Sequence, residues 1–112
     1  MHVVRLKDAP AYHAPAHDDM RCLRLQGHEA GPADSQWLGL SYLLPGGHTG
    51  LDASPLEKMY VVLEGEVTIS NGDEEVVLRQ WDSCRIAPGE KRILRNDANK
   101  PAAILLSMPL PR

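Results

Sequence analysis

The chain of 112 residues has little cysteine, no surplus of positive charge and no long apolar run. Its two cysteines, Cys22 and Cys84, are too few and too far apart for a zinc knuckle, and a reducing compartment would keep them as thiols. A formal charge of -3 provides no basic surface for nucleic acid. No apolar run approaches bilayer length, and the N-terminal residues lack the apolar core of a signal peptide. We therefore expect a cytoplasmic protein that binds neither nucleic acid nor membrane.

Length, glycine and proline content favour one small all-β domain. A chain of this length holds a single hydrophobic core and is too short for two. Nine prolines and nine glycines divide it into short segments and exclude long helices. Residues 1–20 lack apolar periodicity, so we interpret them as an N-terminal arm that could contribute an edge strand near residues 3–6. Residues 21–112 are assigned to the single domain.

Short runs typical of strands follow one another at close, regular spacing. Alternation of polar and apolar residues predicts a strand over 21–27, and an apolar run predicts a buried strand over 36–44 that ends at Pro45. The pair Asn71-Gly72 is the sharpest hairpin signal, because these residues accept positive φ with little strain. Further strands are predicted at 58–63, 66–70, 74–80, 83–86, 91–95 and 102–108. This spacing is typical of a β-sandwich or barrel.

Two segments of the chain have the spacing of a known two-part motif. The first runs from Gly46 to Gly65, with its closest match from Lys58 onward, and the second runs from Trp81 to Asn96. This spacing resembles that of the cupin family, whose first part is Gly-x5-His-x-His-x3-4-Glu-x6-Gly and whose second part is Gly-x5-Pro-x-Gly-x2-His-x3-Asn. The resemblance implies an antiparallel jelly-roll barrel, also called a double-stranded β-helix.

The residues at the metal-ligand positions of that pattern are not the usual ligands. Asp52 and Ser54 stand where cupins have two histidines, Lys58 stands for the glutamate and Arg92 for the third histidine. Ammonium and guanidinium groups only donate hydrogen bonds and repel a divalent cation. The resemblance therefore implies a barrel whose usual metal site is missing, and we expect no metal and no other cofactor.

A pocket for a small anionic organic molecule is the function that we predict. Strand alternation puts Lys58 and Tyr60 on one face, and the resemblance implies that this face points into the barrel, as Arg92 would. Uncompensated buried charge costs several kcal/mol, so the two cations need an anionic partner. Either Asp52 supplies it and the site is only packing, or a bound carboxylate or phosphate does. The predicted ligand-binding residues are Asp52, Ser54, Lys58, Tyr60, Arg92 and Asn96.

Whether the protein is an enzyme stays open at this point. Desolvation beside Arg92 would lower the pKa of Lys58, which suits a general base or a Schiff-base nucleophile, with Tyr60 as the partner acid. His48, which we expect in a glycine-rich loop, is another candidate base. Such groups would make a metal-independent isomerase, epimerase or lyase.

Two further alternatives concern metal and assembly. One is a metal-dependent cupin whose ligands are displaced to His48, Asp52 and Glu57, and the other is a purely structural dimer module. The N-terminal arm is suited to pairing or exchange with a second copy, so we expect a homodimer.

Overall fold

The computed structural model describes residues 1–111, and most of its regular structure is β-strand. Within these residues there are also two single-turn 3-10 helices, Leu6–Asp8 and His28–Ala30. No helix in this part of the chain is long and apolar enough to cross a bilayer. The strands are β1 (Ala11–Tyr12), β2 (His17–Gln26), β3 (Gln36–Thr49), β4 (Asp52–Ala53), β5 (Lys58–Glu64), β6 (Val67–Ser70), β7 (Glu75–Leu78), β8 (Ser83–Ile86), β9 (Lys91–Arg95) and β10 (Ala102–Pro109).

Antiparallel pairing joins these strands into a sheet that curls into a nearly closed barrel. The main path runs β7-β6-β9-β3-β10-β5-β8, and β2 pairs with β3 while β4 pairs with β9. The long strand β3 therefore contacts β2, β10 and β9, and it ties the two sides of the barrel together. The predicted all-β jelly-roll barrel is confirmed.

The barrel interior is apolar around the middle of β5. Lys58, Tyr60 and Val62 are buried while Met59 between them is half exposed, as the period of two along a strand requires. The predicted inward face of this strand is therefore confirmed. Around it packs a core of aliphatic side chains from several strands: Leu43, Val67, Ile69, Leu78, Ile86, Leu94, Ala102 and Ile104.

Two predictions about the first half of the chain were wrong. The strand predicted over 36–44 does not end at Pro45, because Gly46 adopts φ 82 and lets β3 bend and continue to Thr49. His48, which we expected in a glycine-rich loop, therefore lies on a strand, opposite Asp18 of β2.

The N-terminal residues are tied to the barrel more closely than an extended arm would be. No strand forms at 3–6 in the described chain; a 3-10 turn begins at Leu6 instead. Strand β1 pairs with β2, which begins at His17, inside the segment assigned to the arm. The last residue of the predicted domain, Arg112, lies outside the described residues.

Candidate functional site

Lys58 and Arg92 reach the barrel interior from two different strands. Lys58 opens β5 and is paired with Ile86 of β8, while Arg92 lies on β9 opposite Asp52 of the short strand β4. Both cations are buried, with 3% and 5% of their surface exposed. The fold thus brings two long cationic side chains together at one end of the core.

Asp52 stands between the two cations at the mouth of the barrel. Its Oδ2 lies 3.6 Å from Lys58 Nζ and 3.5 Å from Arg92 Nη2, and its side chain is 54% exposed. Arg92 also donates from Nη1 to Thr49 Oγ1 at 2.7 Å. The same oxygen accepts the backbone N–H of Leu94 at 3.0 Å. Asp52 therefore contacts both buried cations, and Thr49 contacts Arg92 alone of the two.

The hydrogen bonding of the cations is incomplete. Within residues 1–111, Lys58 Nζ and Arg92 Nε are the buried side-chain polar atoms that lack a hydrogen-bond partner. Buried polar groups in folded proteins are nearly always hydrogen-bonded, so each exception needs an explanation. One carboxylate against two cations also leaves a positive excess.

Burial changes the proton affinity of Lys58 and Tyr60. Burial, and next the charge of Arg92, lower the pKa of Lys58, while Asp52 acts in the opposite direction. Burial raises the pKa of the Tyr60 hydroxyl to about 12, although the charge of Arg92 partly opposes this. Its lowered pKa makes Lys58 better suited than an ordinary lysine to act as a general base. The raised pKa of Tyr60 makes its hydroxyl a weak acid.

A cavity of about 550 Å³ opens beside the cations. Lys58, Arg92 and Asp52 line one side of it, and Leu106 and Met108 of β10 contribute to an apolar wall. Residues 12–17, which we call the strap, also line it. Gly50 holds the strap by donating its N–H to the carbonyl of Ala16 at 2.6 Å. The cavity is therefore lined by charged groups, apolar groups and the strap.

Arg24, a third cation at the cavity, is already engaged by the protein. Its guanidinium carbon lies 3.6 Å from the ring centre of Tyr12 and 4.3 Å from that of Trp37. Its Nε donates to Glu29 at 3.2 Å. Aromatic rings and a carboxylate thus satisfy Arg24, unlike the pair deeper in the barrel.

The structure brings four of the predicted ligand-binding residues together and separates two. Asp52, Ser54, Lys58 and Arg92 all line the cavity. Tyr60 belongs to the apolar core, with its hydroxyl against Arg92.

Asn96 has a structural position instead of a place on the cavity wall. Its Nδ2 donates to the carbonyls of Leu43 and Lys100, and its Oδ1 accepts the N–H of Ala98. The side chain thereby fastens the turn after β9 to strand β3. These backbone partners use the amide that we expected to bind a ligand.

The displaced metal site is not assembled. His48 lies on the outer side of β3, with Nε2 3.6 Å from Asp18 Oδ2, and Glu57 pairs with Arg85. Asp52 alone of that trio reaches the cavity. In the described part of the chain, no three His, Cys, Asp or Glu side chains are grouped as metal ligands. His48 also lies away from the cavity, which removes it from the candidate bases there.

Sequence analysis missed the histidines of the strap. His13 and His17 line the cavity. His17 Nδ1 lies 2.7 Å from the Pro15 carbonyl, and burial lowers the pKa of its imidazole. The signal was present as three histidines among the first 20 residues, but only the folded position of the strap gives it meaning.

Comparison with known proteins identifies similar chains. A family model described as "Cupin domain" matches residues 39–108. The protein named "Beta-D-galactosidase Rv1717" of Mycobacterium tuberculosis is 39% identical over 111 residues, which is 99% of this chain and 96% of that protein.

Two solved structures illustrate how widely the fold is shared. The polyketide cyclase RemF of Streptomyces resistomycificus aligns with a TM-score of 0.88 at 22% identity, covering 100% of this chain and 81% of that one. A sugar phosphate isomerase of Silicibacter pomeroyi aligns with a TM-score of 0.82 at 20% identity, covering 96% and 75%. At such identities the likeness concerns the fold alone.

Proposed function

We propose that this chain, which belongs to the cupin family, binds a small anionic organic molecule between Lys58 and Arg92 in the mouth of its barrel. The observation that carries the proposal is the pair of buried donors, Lys58 Nζ and Arg92 Nε, left without hydrogen-bond partners among residues 1–111. Both belong to side chains that line a cavity. A carboxylate or phosphate bound there would supply acceptors of the kind that these donors lack.

Charge and size support the same ligand class. Lys58 and Arg92 carry two positive charges and Asp52 one negative charge, so a monoanion would balance the site while Lys58 is protonated. The cavity volume of about 550 Å³ is within the range of roughly 300–1,000 Å³ that small-molecule sites occupy. Leu106 and Met108 would pack against the organic part of the ligand.

The proposal is tested by calorimetry and thermal melting with a panel of carboxylates and phosphates. Anions that bind should raise the melting temperature of the wild type and of the control Lys91→Met, whose side chain is exposed on the same strand as Arg92. The double variant Lys58→Met, Arg92→Leu should lose this response.

A different result would show that the cations serve packing. If every anion shifts the melting curves of the wild type and of the double variant equally, the anion site is rejected. Stoichiometric iron, zinc, manganese or nickel in untagged protein would reject the metal-free form of the proposal.

Hydrolysis of a β-galactoside is a second candidate, favoured by the 39% identical relative that carries the name of that activity. Glycoside hydrolysis ordinarily uses two carboxyl groups on either side of the scissile bond. Asp52 is the one carboxylate among the described residues that line the cavity, so another group would have to take the second role. Release of nitrophenol from p-nitrophenyl β-D-galactoside, abolished by Asp52→Asn, would favour this candidate over simple anion binding.

We also propose that the protein is a cytoplasmic homodimer. Both cysteines are free, which fits a reducing compartment. Several large apolar side chains lie exposed on the outer surface, Leu44 and Met59 among them, which fits pairing with a second copy. Light scattering of the purified chain tests the assembly, and a mass of about 12.3 kDa would contradict it.

A further inference from the structure

His17 is held in one tautomer by the backbone of the strap. Its Nδ1 lies 2.7 Å from the carbonyl oxygen of Pro15. A carbonyl only accepts hydrogen bonds, so Nδ1 must carry the proton of that bond. In a neutral imidazole, the other nitrogen then has a free lone pair. Burial lowers the pKa of His17, which favours this neutral form near pH 7.

His17 lies at the proposed anion site. His17 lines the same cavity as Lys58, Arg92 and Asp52, and it lies close enough to Arg92 and Asp52 for their charges to affect its pKa. Among the described residues, the ring makes its hydrogen bond through Nδ1. Nε2 on the other side of the ring is an acceptor in a cavity where Lys58 and Arg92 offer only donors.

We propose, as an extension of the proposed anion site, that His17 Nε2 accepts a hydrogen bond from a hydroxyl group of the ligand, which is therefore a hydroxylated carboxylate. The carboxylate binds Lys58 and Arg92, and the hydroxyl turns toward the strap. An amino group in that position would be protonated and repelled by the two cations, whereas a hydroxyl donates without charge. A residue of the strap thus binds one hydroxyl group of an anion whose carboxylate is bound by the barrel.

Matched pairs of small acids test the inference by calorimetry: D- and L-lactate against propionate, and D- and L-malate against succinate. Wild type should bind one enantiomer of a hydroxy acid about threefold to tenfold more tightly than its deoxy partner, as one neutral hydrogen bond provides. His17→Phe should bring this ratio to about one while leaving propionate or succinate affinity within about twofold. His13→Phe should keep the ratio, and His17→Gln, which retains an acceptor oxygen, should restore part of it.

The failures of the two proposals are distinguishable. Equal binding of hydroxy and deoxy acids by wild type overturns the role of His17 and leaves the anion site standing. If none of the six anions binds, the anion site fails and this inference fails with it. Nitrogen-15 NMR of the wild-type ring needs no variant: a proton on Nδ1, with an Nε2 signal that moves when the hydroxy acid is added, supports the proposal. A proton on Nε2 overturns it.

Discussion

Asn96 and Lys58 occupy positions of the same two-part motif, and both are buried, yet they differ in how the protein treats their polar atoms. Asn96 is 0% exposed, and its amide makes three hydrogen bonds of 2.7 to 3.0 Å to backbone groups. Lys58 is 3% exposed, and its closest anion, Asp52, is 3.6 Å away at the open mouth. Backbone groups therefore satisfy the polar atoms of Asn96, whereas the ammonium of Lys58 has no hydrogen-bond partner among residues 1–111.

The difference teaches which buried polar residue is a candidate for ligand binding. Burial alone does not separate the two regions, because both side chains are shielded from water. What separates them is whether their polar atoms have hydrogen-bond partners. An amide whose atoms are all hydrogen-bonded cannot bind a ligand as well, whereas an ammonium without a partner beside a cavity has unused donors. Arg92 belongs with Lys58 on this criterion, since its Nε also lacks a partner within residues 1–111.

The largest change in stability is expected from removing the hydrogen-bonded side chain of Asn96. Asn96→Ala strands the carbonyls of Leu43 and Lys100 and the N–H of Ala98, at about 1 kcal/mol or more for each group that stays dry. The free energy of unfolding in urea should fall by about 3 kcal/mol. Asn99→Ala, an exposed asparagine in the same turn, should change it by less than about 0.5 kcal/mol. Equal losses in the two variants would contradict the contrast.

Removing the ammonium of Lys58 should have the opposite effect and stabilise the protein. Lys58→Met removes a buried ammonium with no hydrogen-bond partner among the described residues and fills its place with an apolar chain. Replacing a buried ion pair by hydrophobic residues is neutral or stabilising by about 1 to 4 kcal/mol. Because Asp52 is half exposed and stays hydrated without Lys58, we expect the single replacement to give a gain of about 2 kcal/mol at pH 7. Lys91→Met, on an exposed position, should be close to neutral. A loss of 2 kcal/mol would mean that Asp52 compensates Lys58 fully.

This gain should depend on pH with a definite sign. The pKa of Lys58 is lowered from its ordinary 10.5 in the folded chain, so above the lowered pKa the unfolded chain binds more protons and the wild type gains stability as pH rises toward 10.5. The advantage of Lys58→Met is therefore greatest near neutral pH and shrinks in alkali. Urea melts of both proteins from pH 7 to 10.5 measure the difference, and a constant advantage would contradict the assigned cause.

Thr49 links the two kinds of region, because its buried hydroxyl joins the cavity-lining Arg92 to the backbone of β9. Its Oγ1 accepts from Arg92 Nη1 and from the N–H of Leu94. Thr49→Val keeps the shape and removes this acceptor, so the free energy of unfolding should fall by about 1 to 2 kcal/mol. Thr49→Ser retains the oxygen and should lose less than half of that amount. If valine and serine cost the same, the methyl group rather than the hydroxyl matters.

The inward position of Lys58 could be predicted because it follows from a local rule. Successive side chains of a strand point to opposite faces, and the resemblance to cupins implied which face is inside. The strands over 83–86 and 91–95 were predicted with their observed bounds for the same reason, since short apolar alternation and flanking turns are local signals. Lys58, Arg92 and Asp52 could therefore be grouped before any coordinates.

The position of the strap at the cavity could not be predicted, because it depends on tertiary contacts. The strap has no apolar period, and its path requires Ala16 at φ 53, a conformation that its sequence does not favour. The contact of Ala16 with Gly50 holds that path. The position of Asn96 off the cavity wall has a related cause. Motif spacing located the residue, but its partners are backbone carbonyls and an N–H, which no side-chain pattern reveals.

The smallest effect on stability, and the sharpest on binding, should come from Asp52. Its carboxylate is half exposed and the amide of asparagine keeps an oxygen near the cations, so Asp52→Asn should lower the free energy of unfolding by about 1 kcal/mol or less. Removing the only negative charge that contacts both Lys58 and Arg92 among the described residues leaves the pocket more positive. Anion affinity, measured by calorimetry at low salt, should therefore rise about threefold to tenfold. A fall in affinity would show that Asp52 binds the ligand itself, as the galactosidase candidate requires, instead of competing with it.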